Sequence, residues 1–129
     1  MIKRILIVED EAIIASDLRA ILIEAGHEVV GWTTTGEDAV PLAEVYRPDL
    51  VLMDLRLRGR MTGLEAARTI REELRIPVVC ITASDPDGAV VAGIPTIRKP
   101  FDEIEIALAI SGPFDLPTEK PGGAFDFPS

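Results

Sequence analysis

Five short apolar runs recur along the chain and limit the folds that it can adopt. The first four are apolar throughout, as expected of strands that are buried on both faces of a parallel sheet. The fifth is weaker, and all five are short enough to be strands rather than helices. The runs are Ile5–Val8, Val29–Trp32, Leu50–Met53, Val78–Ile81 and Ile94–Ile97.

The segments between these runs carry helical patterns. The first helix is expected to close at Gly26. A second is expected from Thr35 to the stop at Pro48, with Pro41 interrupting it or delaying its start. A third precedes Pro77, and the last ends near residue 112. The apolar positions that define the first, third and last helices are Ile14, Leu18, Ile21, Leu22 and Ala25; Leu64, Ala67, Ile70 and Leu74; and Ile104, Ile106, Leu108 and Ile110.

Alternation of strands and helices predicts the fold class. It favours βαβ units with right-handed crossovers, and therefore an α/β fold with a doubly wound, five-stranded parallel sheet. Residues 83–95 contain two prolines and two glycines, so the helix between the fourth and fifth strands is expected to be short or absent. The domain is expected to span residues 1–112, and residues 113–129 to form a flexible Pro- and Gly-rich tail.

Charge and hydropathy exclude several classes of function. The 129 residues carry a formal net charge of −9, which disfavours direct binding to nucleic acid. The N-terminus places acids after four consecutive apolar residues, so it predicts neither a signal peptide nor a membrane span. A cytoplasmic protein without membrane contact is the expectation.

Candidate site residues follow four of the five apolar runs. Glu9 and Asp10 follow the first, Asp54 the third, Thr82 the fourth and Lys99 closely follows the fifth. In open α/β sheets, ligands bind outside the carboxyl ends of the strands. If these strands are neighbours, the carboxylates come close enough to repel one another, and a divalent cation relieves that repulsion. Mg²⁺ prefers oxygen ligands and typically takes one or two protein carboxylates.

The loop after Asp54 is basic and contains glycine. Arg56, Arg58 and Arg60 would lie beside this anionic site. Gly59 and Gly63 are expected to give the loop conformational freedom.

Four motifs in this order resemble the receiver domains of two-component response regulators. They are "ILIVEDE", "PDLVLMDLRLRG", "ITA" and "RKPF", and the resemblance covers roughly residues 3–111. It implies a CheY-like doubly wound fold and a phosphoryl-accepting site at the carboxyl edge of the sheet.

The resemblance implies a role for each acid of that site. Asp54 would be the phosphoacceptor and a metal ligand. Asp10 would bind Mg²⁺ directly, and Glu9 would do so directly or through water. Arg56 would offer its backbone carbonyl to the same ion.

The remaining motif residues have implied roles as well. Thr82 matches the hydroxyl that binds a phosphoryl oxygen, and Lys99 matches the lysine that pairs with the phosphoryl group. The Lys99–Pro100 peptide bond is expected to be cis. Thr96 occupies the position where receivers usually carry a switch aromatic, which departs from the family pattern.

The leading hypothesis is a stand-alone receiver that is phosphorylated by a sensor histidine kinase or a histidine phosphotransfer protein. It would then signal to a downstream protein target or act as a phosphorelay shuttle. Its only catalysis would be transfer onto itself and autodephosphorylation, so it is not expected to be an enzyme in the usual sense.

Three alternative functions compete with that hypothesis. The first is a phosphorylation-independent binding module of receiver fold. It is favoured by Thr96 and by the short or absent helix between the fourth and fifth strands. The second is an aspartyl-phosphate phosphatase of the haloacid-dehalogenase type, which ranks low because position 56 is arginine rather than aspartate. The third is a flavodoxin-like cofactor binder, in which the acids after the first strand would repel a phosphate.

Overall fold

The computed structural model describes residues 2–83, 93–114 and 116. Within them the chain alternates strands and helices. The elements are β1 Arg4–Val8, α1 Ala12–Glu24, β2 Glu28–Thr33, α2 Gly36–Tyr46, β3 Leu50–Asp54, α3 Gly63–Glu72, β4 Val78–Thr82, β5 Thr96–Arg98 and α4 Glu103–Ser111. All paired strands are parallel, and the strand order is β2-β1-β3-β4-β5, so β1 lies inside the sheet between β2 and β3.

Helices cover both faces of the sheet, so the prediction of a doubly wound α/β fold is confirmed. Successive residues of β3 point to opposite faces, because side chains alternate along a strand. Val51 and Met53 pack with α2 and α3, whereas Leu50 and Leu52 pack with α1 and α4. The central strands are therefore buried on both sides, as their unbroken apolar sequence predicts.

The second apolar run does not follow that expectation. β2 is an edge strand, and Thr33 is the one residue of β2 that is buried. Trp32 keeps 48% of its surface exposed. The prediction of burial on both faces is wrong here, because an apolar run does not distinguish an edge strand from a central one.

The prediction that Pro41 interrupts or delays the second helix is also wrong. α2 begins at Gly36 and continues through Pro41. A proline inside a helix costs about 3 kcal/mol, since it removes one hydrogen bond and crowds the preceding turn. The Thr35 side chain caps the helix by accepting the N–H of Asp38. The burial of Ala39 and Ala43 against the sheet also offsets that cost.

Only part of the apolar pattern of the last helix is buried. Ile106 and Ile110 of α4 pack against the sheet, whereas Ile104 and Leu108 are each 70% exposed. Residues two apart lie on different sides of a helix, so these four positions cannot share one face.

Two expectations concern residues outside the described ranges. The short or absent helix between β4 and β5 would lie in residues 84–92, and most of the expected tail falls in residues 117–129. Phe114 lies two residues beyond the expected domain boundary and packs against the core that contains α1 and α4. Among the helices of the described ranges, none is long and apolar enough to cross a lipid bilayer.

Gly63, the first residue of α3, lies directly against the end of β3. A Cβ atom at this position would approach the backbone oxygen of Asp54 to 2.1 Å and Cα of Leu55 to 2.7 Å. Gly63 therefore allows close packing of two backbones, and the sequence-based interpretation that it gives the loop freedom is wrong. That interpretation holds for Gly59, whose φ is 111°.

We expect Gly63→Ala to lower the free energy of unfolding by roughly 2–3 kcal/mol, because the backbone of β3 or α3 has to move. Gly31→Ala is the matched control, since a Cβ there meets only side-chain atoms at 3.3 Å or more. Urea unfolding of both variants measures the difference. Equal stabilities of the two variants would contradict the close-packing role.

Candidate functional site

Two neighbouring strands bring three carboxylates together at the carboxyl edge of the sheet. β1 and β3 pair in a register that places Val8 beside Met53. Glu9 and Asp10 follow β1, and Asp54 is the last residue of β3, so all three lie at the same edge. One carboxylate oxygen from each lies within 4.8 Å of the other two. Glu9 and Asp54 are almost fully buried, with 1% and 2% of their surfaces exposed.

Lys99 supplies a cation to this cluster from the end of β5. Its Nζ lies 3.1 Å from Oε1 of Glu9, 3.4 Å from Oδ2 of Asp54 and 3.9 Å from Oε1 of Glu11. The backbone N–H of Lys99 donates to the carbonyl of Thr82 at 2.8 Å, which ties the end of β5 to β4. Thr82 is fully buried at the end of β4.

The pKa values of Glu9 and Lys99 reflect this crowding. Burial, followed by the neighbouring Asp54 carboxylate, raises the pKa of Glu9 to about 7, although the N–H of Glu11 opposes the shift. Burial by itself lowers the pKa of Lys99, but the carboxylates of Glu9 and Asp54 outweigh it, so the net shift is upward. The shift of Glu9 thus arises from loss of solvent and a nearby like charge, whereas the shift of Lys99 arises from nearby opposite charges.

The donor set fits a hard divalent cation. Oε1 of Glu9 is buried, and no donor among the described residues makes a hydrogen bond to it, since its contact with Lys99 lacks hydrogen-bond geometry. The carboxylate oxygens of Glu9, Asp10 and Asp54 converge, and hard cations prefer such ligands. These residues could hold Mg²⁺, as the sequence predicted.

The loop after Asp54 folds back onto the same acids. Oδ1 of Asp54 accepts a hydrogen bond from the backbone N–H of Arg56 at 2.9 Å. The backbone N–H of Leu55 donates to the backbone carbonyl of Ile81 at 3.0 Å. The Arg58 side chain is 93% exposed, and its Nε lies 3.8 Å from Oδ2 of Asp10. The loop therefore contacts two of the three acids, while the metal-binding role of the Arg56 carbonyl stays a prediction.

Glu37, near the start of α2, holds the far side of this loop. Its carboxylate accepts the backbone N–H groups of Arg60 and Met61 at 3.0 and 3.1 Å. These bonds lower the pKa of Glu37. Thr35 adds an isolated parallel bridge to Arg58, so the start of α2 fixes the loop at several points.

The two remaining predicted residues lie on and beside β5. The peptide bond between Lys99 and Pro100 is cis. Thr96 is half-buried at the start of β5, and its hydroxyl donates to the carbonyl of Ile94 at 3.1 Å. The side chain that replaces the usual aromatic is thus bonded to the backbone of its own segment.

Two residues of the site have no counterpart in the sequence motifs. The indole of Trp32 donates to the backbone carbonyl of Glu9 at 2.8 Å, and Glu37 holds the basic loop. Glu37 looks like a first-turn acid of a helix in the sequence, and nothing local indicates a loop 23 residues away. The Trp32 contact depends on the packing of β2 beside β1, and the Glu37 contact depends on the packing of α2 beside the loop after β3.

We expect Glu37→Gln to loosen the basic loop, because an amide offers one acceptor oxygen where the carboxylate offers two. Loss of one hydrogen bond corresponds to roughly tenfold faster opening. Hydrogen exchange by NMR should therefore show faster exchange at the N–H groups of Arg60 and Met61. Glu44→Gln, on the exposed side of the same helix, is the matched control. Unchanged exchange in Glu37→Gln would show that the loop is held by other contacts.

The raised pKa of Glu9 predicts a pH-dependent stability in a chelator-containing buffer. The folded protein holds the Glu9 proton more tightly than the unfolded chain, whose glutamates titrate near 4.5. This tighter binding of the proton stabilises the folded state. The contribution is fully present below a pH of about 4.5 and is lost as the pH rises through about 7. Relative to Glu9→Gln, the wild-type free energy of unfolding should fall by on the order of 2 kcal/mol across that window. A difference between the two proteins that does not change with pH would contradict the assignment.

Comparison with curated proteins identifies similar regulators. Residues 5–111 match the response regulator receiver domain family. The chain is 46% identical over 81 residues to the transcriptional regulatory protein PdtaR of Mycobacterium tuberculosis, which covers 63% of this chain and 39% of that protein. It is 37% identical over 116 residues to the phyllosphere-induced regulator PhyR of Methylorubrum extorquens, which covers 86% of this chain and 43% of that protein. The chain therefore spans less than half the length of these two relatives.

Solved structures show the same architecture. The signal receiver domain of a modulated diguanylate cyclase from Desulfovibrio desulfuricans superposes with a TM-score of 0.81 at 30% identity, over 86% of this chain and 92% of that one. The response regulator PhyR from Brucella abortus gives a TM-score of 0.75 at 34% identity, over 86% of this chain and 47% of that one. With its acids, threonine and lysine gathered at one edge of a doubly wound sheet, the chain belongs to the response regulator receiver domain family.

Proposed function

We propose that this chain accepts a phosphoryl group on Asp54 in a Mg²⁺-dependent reaction. The observation that carries the proposal is the convergence of the Asp54 carboxylate, two further acids and the Lys99 ammonium in one largely buried cluster. Burial strengthens each electrostatic contact, which suits a site that has to stabilise a transferring anion.

The chemical step is an in-line displacement at phosphorus. A carboxylate oxygen of Asp54 forms the new O–P bond while the P–N bond to a donor phosphohistidine breaks, and the bond electrons leave with the imidazole. The product is an acyl phosphate, and water returns the free carboxylate by hydrolysis. When bound, Mg²⁺ supplies neutralisation of negative charge on the phosphoryl oxygens.

The chain's own residues divide the remaining tasks. Nζ of Lys99 lies 3.4 Å from Oδ2 of Asp54, which supports a role for Lys99 in pairing with an equatorial phosphoryl oxygen. Thr82 ends the neighbouring strand β4, where its hydroxyl can donate to a second oxygen. Glu9 and Asp10 hold the cation, and the Arg56 N–H fixes one oxygen of Asp54 so that the attacking oxygen keeps its orientation.

The partners follow from the same chemistry. The phosphoryl donor would be a sensor histidine kinase or a histidine phosphotransfer protein, and a downstream protein would read the modified state. Among the relatives, PdtaR is named a transcriptional regulatory protein, and PhyR from Bartonella quintana is described as an anti-anti-sigma factor. Both names describe longer proteins, so we propose for this chain only the receiver step that they share.

A second candidate is a binding module that does not depend on phosphorylation. It is favoured by Thr96, whose hydroxyl is bonded to Ile94 rather than presenting an aromatic ring at the usual switch position. The complete set of Asp54, Thr82 and Lys99 argues for the phosphoacceptor instead.

The test is the intact mass of the protein after incubation with Mg²⁺ and acetyl phosphate. We expect the wild type to gain the mass of one phosphoryl group, and Asp54→Asn to gain none. Asp17→Asn, an exposed aspartate of α1, is the matched control and should behave like the wild type. The gain should disappear when a chelator removes Mg²⁺.

The opposite result would support the binding module. If neither acetyl phosphate nor a phosphorylated histidine kinase modifies the wild type, Asp54 is not a phosphoacceptor. A gain in mass that persists in Asp54→Asn would place the modification elsewhere.

A further inference from the structure

Trp32, the single tryptophan of the chain, makes a polar contact with the site from the edge strand. Its indole Nε1 donates to the backbone carbonyl of Glu9 at 2.8 Å. We propose that Trp32 is a positioning residue, which holds the peptide of Glu9 so that the Glu9–Asp10 pair faces the cation. This inference rests on the proposed function, because it assigns Trp32 to the same Mg²⁺ site.

The bond matters because strand β2 fixes both sides of Glu9. The N–H of Glu9 donates to the carbonyl of Thr33 at 3.0 Å, and its C=O accepts from Trp32. The carbonyl of Glu9 is part of the peptide group between Glu9 and Asp10. By binding this carbonyl, the indole fixes the orientation of that peptide group and therefore the direction of the Asp10 side chain. The pair of bonds thus orients both acids relative to Asp54.

The connection from β1 to α1 is held by the N–H of Glu11, which donates to Oε2 of Glu9 at 3.1 Å, but it lacks the side-chain cap that the other helices have. The N-cap residue of α1 is Glu11, whose side chain makes no capping hydrogen bond. In contrast, Thr35, Thr62 and Asp102 cap α2, α3 and α4 through their side chains. A cap accepts a backbone N–H of the first turn and fixes how the chain enters a helix. Because α1 lacks one, the two bonds from β2 carry more of the orientation of Glu9 and Asp10.

The one polar group of the Trp32 side chain is hydrogen-bonded, although about half of the residue is exposed. Tryptophan is a large apolar residue, yet 48% of its surface here faces solvent. Together with Ala12, Ala15 and Arg19 of α1, its ring lines a small cavity of about 190 Å³. The feature that a hydrocarbon cannot supply is the N–H that reaches over the end of β1 to Glu9.

The test compares Mg²⁺ binding by calorimetry in the wild type, Trp32→Phe and Tyr46→Phe. Phenylalanine keeps an aromatic ring at position 32 but removes the N–H donor. We expect the dissociation constant for Mg²⁺ to rise about three- to tenfold in Trp32→Phe, the range for loss of one supporting hydrogen bond. Tyr46→Phe is the matched control, since Tyr46 is similarly exposed, at 42%, on α2. It should bind Mg²⁺ like the wild type.

A second readout separates positioning from simple destabilisation. At saturating Mg²⁺, the rate of phosphorylation of Trp32→Phe by acetyl phosphate should return to the wild-type rate. A folded Trp32→Phe with an unchanged Mg²⁺ dissociation constant would overturn the inference, as would a rate that saturating Mg²⁺ does not restore.

The native chain provides a test that needs no variant. Because the indole is bonded to the peptide that bears the acids, Mg²⁺ should shift the emission of Trp32 with the midpoint seen by calorimetry. No change in emission at saturating Mg²⁺ would overturn the inference even if Trp32→Phe did not fold. Absence of any Mg²⁺ binding by the wild type would instead overturn the proposed function.

Discussion

The repulsion between the buried carboxylates of Glu9 and Asp54 is the constraint on which the site depends. Two acids with almost no solvent contact cannot both ionise without a nearby positive charge. The Lys99 ammonium lies within 3.4 Å of both and supplies one, yet the pKa of Glu9 remains near 7. The cluster therefore holds more negative charge than its lysine balances. This excess makes it receptive to a divalent cation, whose charge is larger and more compact.

The parallel sheet brings the carboxylates close together and keeps them there. Strands β1 and β3 have unbroken apolar sequences buried between two helical layers, so their ends cannot move apart without disturbing the core. The acids occupy the first positions at which the chain leaves that core. Close packing of Gly63 against the backbone of Asp54 and Leu55 then brings the start of α3 directly against the end of β3. Because the apolar strands are rigid, the polar residues at their ends are held in fixed positions.

Contacts from neighbouring elements hold the acids and the basic loop in place. On one side, Glu37 fixes the basic loop through two backbone N–H groups. On the other side, Trp32 and the carbonyl of Thr33 fix the peptide of Glu9. Each contact comes from an element that contributes no acid to the cluster. By contrast, the hydroxyl of Thr96 is bonded to the carbonyl of Ile94, within its own segment.

The sequence alone determined the fold class and the main residues of the site. Buried parallel strands have continuous apolar sequences, and the residues that follow them lie at one edge of the sheet, so Glu9, Asp10 and Asp54 were expected to converge if their strands are neighbours. Only the tertiary structure decided which strand lies at the edge and what holds the acids in place. Trp32 contacts a carbonyl 23 residues away, and a periodic pattern contains no information about such a partner. Local sequence encodes which face of an element is apolar, whereas contacts between elements depend on register and packing, which emerge only when the whole chain folds.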